Sequence, residues 1–211
     1  MAGLRRKAGR WIAETPAGSF EAPIVINAAG AWADRVALLA GVGAMGLAPK
    51  RRTAALVEVP DHDVGTWPLV IEVGERFYFK PDAGRLLISP ADETPSEPGD
   101  AQPDDLDVAI AADRIETATT LVIRREGAQT RPAVGDAADR TPVCGFDPRA
   151  EGFFWLAGQG GYGIQTAPAL ARLTASLVTG SSTTGVAAEV VAAVAPARYA
   201  SAAQGSSTLG Q

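Results

Sequence analysis

The chain has 211 residues, 46% of them hydrophobic and 20% charged, with a formal net charge of −5. That length and balance suit one large or two small globular domains with a real core, and the negative charge argues against nucleic acid or an anionic membrane as the main partner. A single cysteine (Cys144) excludes an internal disulfide and a thiolate metal cluster, and with a single histidine (His62) a histidine-based zinc site or a Ser-His-Asp triad would have to use it. His62 lies in the polar turn Pro60-Asp61-His62-Asp63 and reads as an exposed loop residue, so no metal site is expected. No window holds the roughly 18 apolar residues that span a bilayer. The basic start (Arg5, Arg6, Lys7, Arg10) lacks the apolar core of a secretory signal. A soluble cytoplasmic protein is the expectation.

In chain order, Trp11 to Thr15 and Ser19 to Ala22 flank Pro16-Ala17-Gly18 as a β-hairpin. Ile24 to Ala28 is a short apolar run, the pattern of a strand buried on both faces. Gly30 opens a helix through Ala40, with Trp32, Val36 and Leu39 at helical spacing and Gly41 as the stop. A longer strand, Arg51 to Val59, precedes Leu69 to Val73, Arg76 to Lys80 and Leu86 to Ser89, which read as an antiparallel meander. A polar loop then leads to a helix whose apolar stripe is Leu106, Ile110, Ile115 and Leu121, and Val122 to Arg125 starts a further strand.

The stretch richest in information comes late. Phe153-Phe154-Trp155-Leu156-Ala157 runs into Gly158-Gln159-Gly160-Gly161-Tyr162-Gly163-Ile164, and a helix-like segment, Ala167 to Val178, follows. Such glycines let a ligand approach main-chain N–H groups, and a helix start adds unpaired donors and a positive dipole end. Gly158, Gly160 and Gly163 satisfy G-x-G-x-x-G between a strand and a helix, as a dinucleotide fingerprint requires. That fingerprint also needs a second apolar strand and an acidic residue ~20 positions on. Here the helix gives way to Gly180-Ser181-Ser182-Thr183-Thr184-Gly185, and the next acid is Glu189. On the residues alone, a cofactor turn and a tight turn for close helix–strand packing both stand.

A resemblance separates them. Asn27-Ala28-Ala29-Gly30-Ala31-Trp32-Ala33-Asp34 resembles the second flavin-contacting unit of the glycine/D-amino acid oxidase family of FAD enzymes, and the 158–164 turn resembles that family's C-terminal flavin loop. Phe77-Tyr78-Phe79-Lys80-Pro81-Asp82-Ala83-Gly84, Gly152-Phe153-Phe154-Trp155, Glu116 to Leu121 and Ala195 to Tyr199 resemble its bacterial D-arginine/D-amino acid dehydrogenase branch. The similarity runs from about Trp11 to Tyr199 in one order.

The resemblance implies a mixed α/β (α+β) fold. A partial FAD-binding Rossmann-like domain (1–48, returning over 129–199) interleaves with an antiparallel substrate-binding sheet plus helix (49–128), the two meeting at a shared cleft. A disordered tail over 200–211 follows. It implies FAD as cofactor, with Ala28, Gly30 and Ala31 along the FAD path. Gly158, Gln159, Gly160, Gly161, Tyr162, Gly163 and Ile164 lie near the flavin's pyrimidine edge, where N–H groups stabilise charge that develops on hydride transfer. Tyr78 and Arg52 match carboxylate-binding residues for a small amino acid substrate. The implied reaction oxidises the α-C–N bond of a (D-)amino acid to an imine and then a 2-oxo acid.

Two departures from the family matter. Its opening strand, glycine-rich turn and helix, which hold the FAD pyrophosphate, lie far upstream of the Asn-Ala-Ala-Gly unit, and that N-terminal βαβ unit is missing here. This predicts a truncated form, inactive alone and weak in FAD binding. It is alternatively half of a split flavoenzyme needing a separate N-terminal FAD-binding chain, or a degenerate non-catalytic fragment. The family's Trp-Ala-Gly-Leu-Arg string is replaced by Glu126 to Ala138, with Val134 at the arginine's place and Arg131 three residues away as a weak substitute. Codons for Arg131 to Gly135 can spell Gly-Leu-Arg-Ser one base over, the mark of a short compensated frameshift that genomic DNA would reveal.

Overall fold

The computed structural model describes residues 1–99, 104–124, 131–136, 140–183 and 185–200, with 131–136 and 200 described by backbone alone. Of the tail expected over 200–211, residue 200 ends a helix and 201–211 lie outside the described residues, as do the stretches 125–130 and 137–139 of and beside the departing segment.

Along the chain run β1 (Gly3–Lys7), β2 (Arg10–Thr15), β3 (Gly18–Ala22) and β4 (Val25–Asn27), then a 3-10 turn (Gly30–Trp32) and α1 (Ala33–Leu39). Next come β5 (Ala48–Arg52), β6 (Ala55–Val57), a 3-10 turn (Val64–Thr66), β7 (Val70–Ile71), β8 (Tyr78–Asp82), β9 (Arg85–Ser89), β10 (Thr94–Pro95) and α2 (Asp105–Ala118). The chain continues with β11 (Arg131–Asp136), β12 (Val143–Phe146), β13 (Phe153–Ala157), a 3-10 turn (Gly160–Tyr162), α3 (Gly163–Thr179), α4 (Ala188–Val194) and α5 (Ala197–Ala200). Two compact units result, one from Met1–Ala48 with the chain from Val134 onward, the other Pro49–Ala133.

In the first unit β13 is central. It pairs antiparallel with β12 and parallel with β4, in register Phe153↔Val25 and Trp155↔Asn27. Phe153, Phe154 and Trp155 are each fully buried, because alternate residues feed opposite faces. Phe153 and Trp155 join Leu4, Trp11, Ala33, Ala37 and Val143, while Phe154 packs with Cys144, Leu170, Leu173 and Val194. Burying each such aromatic contributes roughly 1.5–3 kcal/mol, so this strand anchors both layers. Burial also pushes the Cys144 thiol up, partly offset by its contact with the Thr174 hydroxyl at 3.4 Å.

Sequence expectations for β4 and α1 need correcting. β4 is not buried on both faces, since Ile26 is 42% exposed. The helix after Gly30 starts as a 3-10 turn and buries Ala33 and Ala37, leaving Trp32 and Leu39 exposed. Small residues pack there because the backbone of α1 lies close to the sheet. An additional strand, β1, pairs with the expected hairpin, and of its residues only Leu4 is buried. A single apolar residue among three cations gives no periodicity to read.

The second unit holds the antiparallel sheet β6-β9-β8-β7. Its core face carries Ala55, Val57, Phe77, Phe79, Leu86 and Ile88, covered by Val108, Ala111, Ala112 and Ile115 of α2. The helix stripe is therefore 108/111/112/115, at i, i+3, i+4, i+7, and Leu106 is exposed. The strand expected over Arg51 to Val59 is two strands in different sheets, because β5 pairs with β10 and β6 with β9. Thr53, where they part, gives its N–H and hydroxyl to Asp92 instead of continuing a ladder. Of the strand expected at Val122 to Arg125, the described residues 122–124 form only an isolated bridge, Glu58↔Arg124. No helix among the described residues is long and apolar enough to cross a membrane.

Candidate active site

Parallel pairing of β4 and β13 brings their C-terminal ends side by side, and each end runs into a glycine turn, a 3-10 turn and a helix. Ligands of open α/β sheets bind outside such carboxyl ends. The first turn is fastened from within. Asn27 is buried, its Nδ2 donates to the Ala33 carbonyl at 2.8 Å, and its Oδ1 accepts from Ala29 N–H at 3.4 Å. Asp34 accepts three backbone N–H bonds, from Met45, Gly46 and Leu47 at 2.8–2.9 Å, pinning the loop beyond α1. Gly30 has φ +55, and a Cβ there would meet nothing within 4 Å. The turn is thus a left-handed bend facing open space.

In the second turn Gly158 (φ +71) is buried under the sheet edge and Gly160 (φ +55) is half-buried. Gly161, Tyr162 and Ile164 are exposed, Ile164 by 80%. No side chain caps the start of α3, so its first N–H groups lack the acceptor that an N-cap side chain supplies. From Asn27 to Trp32 and from Gly158 to Ile164 no side chain carries a charge. Backbone N–H groups and the Gln159 amide suit the acceptor-rich edge of a neutral heteroaromatic ring. They do not supply the lysine or arginine that commonly meets a phosphate.

Beneath β13, Asp147 forms a buried knot. Its carboxylate accepts from Trp155 Nε1 (3.0 Å) and pairs with Arg149 (2.9 Å). Burial pushes this carboxyl up, but hydrogen bonds from Arg149 and Trp155 together outweigh it and hold the group below the usual carboxylate range. A depressed folded-state value means stabilisation that is complete above the unfolded value (about 4) and lost as pH falls through the folded one. Asp147→Asn should therefore be less stable than the parent at pH 7. The gap should narrow below about pH 4, as acid-titrated thermal melts would record; a constant gap would contradict this role.

Tyr78 and Arg52 belong to the other unit. Tyr78 stands on the sheet face opposite α2, half-buried, and its hydroxyl makes no hydrogen bond among the described residues. Arg52 is engaged: its Nη2 donates to Glu93 at 3.2 Å, and Lys50 reaches the same carboxylate at 3.0 Å. The Arg52 Nε is buried with no partner among the described residues. Arg51 pairs with Asp107 and Asp104. Glu93 carried no sequence signal, because its partners lie more than forty positions away in the chain. Arg131 begins β11, and its side chain lies outside the described residues. His62 is exposed, stacking edge-on against Trp67.

Strand-end glycine turns on a parallel strand pair, beside antiparallel sheets, define a mixed α/β protein. The sequence profile of the DAO family, FAD dependent oxidoreductases, matches residues 1–177, and the chain belongs to that family, whose members use FAD. Among curated relatives, the FAD-dependent oxidoreductase domain-containing protein 1 of Xenopus laevis is 27% identical over 180 residues, 76% of this chain and 35% of its own length. Glycine oxidase from Geobacillus kaustophilus superposes with a TM-score of 0.74 at 25% identity, covering 90% of this chain and 50% of that one. L-proline dehydrogenase from P. horikoshii shares the fold at a TM-score of 0.75 and 22% identity, over 95% of this chain and 53% of that one. The chain thus spans about a third to half the length of these proteins.

Proposed function

We propose that this chain supplies the flavin-edge turns and the substrate-binding sheet of an oxidoreductase acting on the α-C–N bond of an amino acid. The reading is carried by one observation: two uncharged glycine turns open side by side at the C-terminal ends of the parallel strands β4 and β13. FAD, when bound, supplies the hydride acceptor. The chain's own residues then do the rest. Backbone N–H groups from Gly158 to Ile164 form a fixed set of donors in a turn that needs no rearrangement. Ala28, Gly30 and Ala31 leave room beside them. Tyr78 donates its hydroxyl to the substrate carboxylate. The imine formed is hydrolysed by water to a 2-oxo acid, with no protein nucleophile required.

Arg52 can join Tyr78 only by sharing or leaving Glu93. Glu93→Gln should therefore lower KM for the amino acid about fivefold, the equivalent of ~1 kcal/mol for a part-buried ion pair. An unchanged KM would remove Arg52 from the substrate site.

We also infer that the 211 residues alone do not turn over. Among the described residues no strand pairs with the outer edge of β4, and Ile26, Trp32, Leu38 and Leu39 are exposed there and along the following turn and helix. Exposed apolar surface of this kind is commonly covered in a working assembly. A further FAD-binding segment, in the same or a separate chain, fits that edge. The chain should be purified with and without such a segment, its flavin absorbance recorded, and dye reduction by D-amino acids followed. Stoichiometric flavin on the 211 residues alone would overturn the need for a partner. A complete, flavin-loaded assembly that reduces dye with no amino acid of either hand would overturn the function.

A further inference from the structure

We infer that Arg114 of α2 is a positioning residue that holds Tyr78 and Arg52 in the arrangement in which both can meet one carboxylate. This rests on the proposal that those two residues bind the substrate carboxylate. Arg114 is half-buried, and its Nη1 donates to the Arg76 carbonyl at 2.6 Å and to the Pro90 carbonyl at 3.0 Å. The β8–β9 ladder ends at the pair Tyr78↔Ser89, so both carbonyls belong to chain just past that end. Main-chain oxygens there still need donors, and a guanidinium supplies charge-assisted bonds, which are stronger than neutral ones. One cation on two carbonyls brackets two segments of the chain together.

Each segment leads to one of the two ligands. Arg76 precedes Tyr78 by two residues; Glu72 holds its N–H and guanidinium, and Arg114 holds its carbonyl. Phe77 and Phe79, on either side of Tyr78, are buried against α2, so the start of β8 moves only with the helix. Pro90 precedes Glu93 by three residues. Between them Ser89 Oγ accepts the Ala91 N–H at 3.1 Å, Ala91 sits at φ +54, and Asp92 accepts the Thr53 N–H. Glu93 then accepts from Arg52 at 3.2 Å. Every link in this run is fastened, so a shift at Pro90 reaches Arg52 through Glu93. Two ligands of one carboxylate must hold their places to within about 0.5 Å, and Arg114 is the group that touches both supports.

The test titrates the full 211-residue chain with acetate, read by the amide NMR signals of Arg52 and of Phe77 to Phe79. Arg114→Gln should raise the acetate Kd about fivefold, the scale of one lost hydrogen bond. Val108→Ala, which opens a cavity under the same helix, should lower the melting temperature without moving that Kd, and so separates positioning from stability. In a Glu93→Gln background Arg52 is held more weakly by the loop, and the Arg114→Gln effect should shrink to about twofold or less. Should Arg114→Gln fail to fold, Arg114→Lys, which keeps the charge on a shorter side chain, should show a loss in the same direction. With acetate still weakened by Tyr78→Phe, three results would each overturn the inference and leave the carboxylate site standing: an unchanged or lower Kd in the Arg114 variants, an equal loss in Val108→Ala, or the full fivefold loss in the Glu93→Gln background. Acetate binding indifferent to Tyr78→Phe, or absent up to the probe's solubility, would overturn the carboxylate site itself and the inference with it.

Discussion

Gly152→Ala is expected to destabilise the first unit by about 3 kcal/mol or more, lowering its melting temperature by about 6–12 °C. Gly152 has φ +74, and a Cβ there would stand 2.5 Å from the Pro23 carbonyl oxygen, a backbone atom that cannot swing aside. The same residue's carbonyl accepts the Val25 N–H at 2.9 Å. The junction that starts β13 therefore also seats β4. A built-in control exists in Gly9, which has φ +79 but open space around the missing Cβ; its alanine variant should lose only about 1 kcal/mol. Matching melts for the two variants would refute the packing argument. Because this junction aligns the two glycine turns, Gly152→Ala should also reduce flavin retention in the assembled protein.

Gly160→Val should reduce turnover of the flavin-loaded assembly by about 10²- to 10³-fold, the usual effect of losing a preorganised donor. Gly160 sits at φ +55, a region that β-branched residues almost never enter. The turn would re-form with its N–H groups aimed elsewhere. Stability should change little by comparison, about 1–2 kcal/mol, since the residue is half-buried and not part of the core. Single-turnover kinetics beside a thermal melt would separate the two effects. Turnover that falls only in proportion to stability would make the turn a packing device.

How legible these features were follows from their physical origin. The continuous apolar run at Phe153 to Ala157 read as a strand before the glycine turn because its signal is local, but that both its faces are buried shows only in the packing. The antiparallel pairing of Leu69 to Val73, Arg76 to Lys80 and Leu86 to Ser89 was equally plain from their short apolar runs, although β8 lies at Tyr78–Asp82. The break between β5 and β6 was not, because it depends on Asp92 capturing Thr53 across thirty-nine residues. The buried face of α1 was misread because Ala33 and Ala37 pack closely where larger Trp32 and Leu39 were expected to lead. At the site, the glycine turns could be found from composition and the resemblance, whereas the parallel register that sets them side by side could not. Glu93 on Arg52 and Arg114 on the Arg76 and Pro90 carbonyls arise only from chain reversals and helix packing.

The central claim, that these turns and this sheet serve amino acid oxidation at a flavin, is tested most directly by anaerobic titration of the flavin-loaded assembly with amino acids. Bleaching of the flavin absorbance by an amino acid, slowed in Gly160→Val and requiring higher substrate concentrations in Tyr78→Phe, is the predicted result. Flavin that stays oxidised with every amino acid of either hand, or bleaching indifferent to both substitutions, would contradict it.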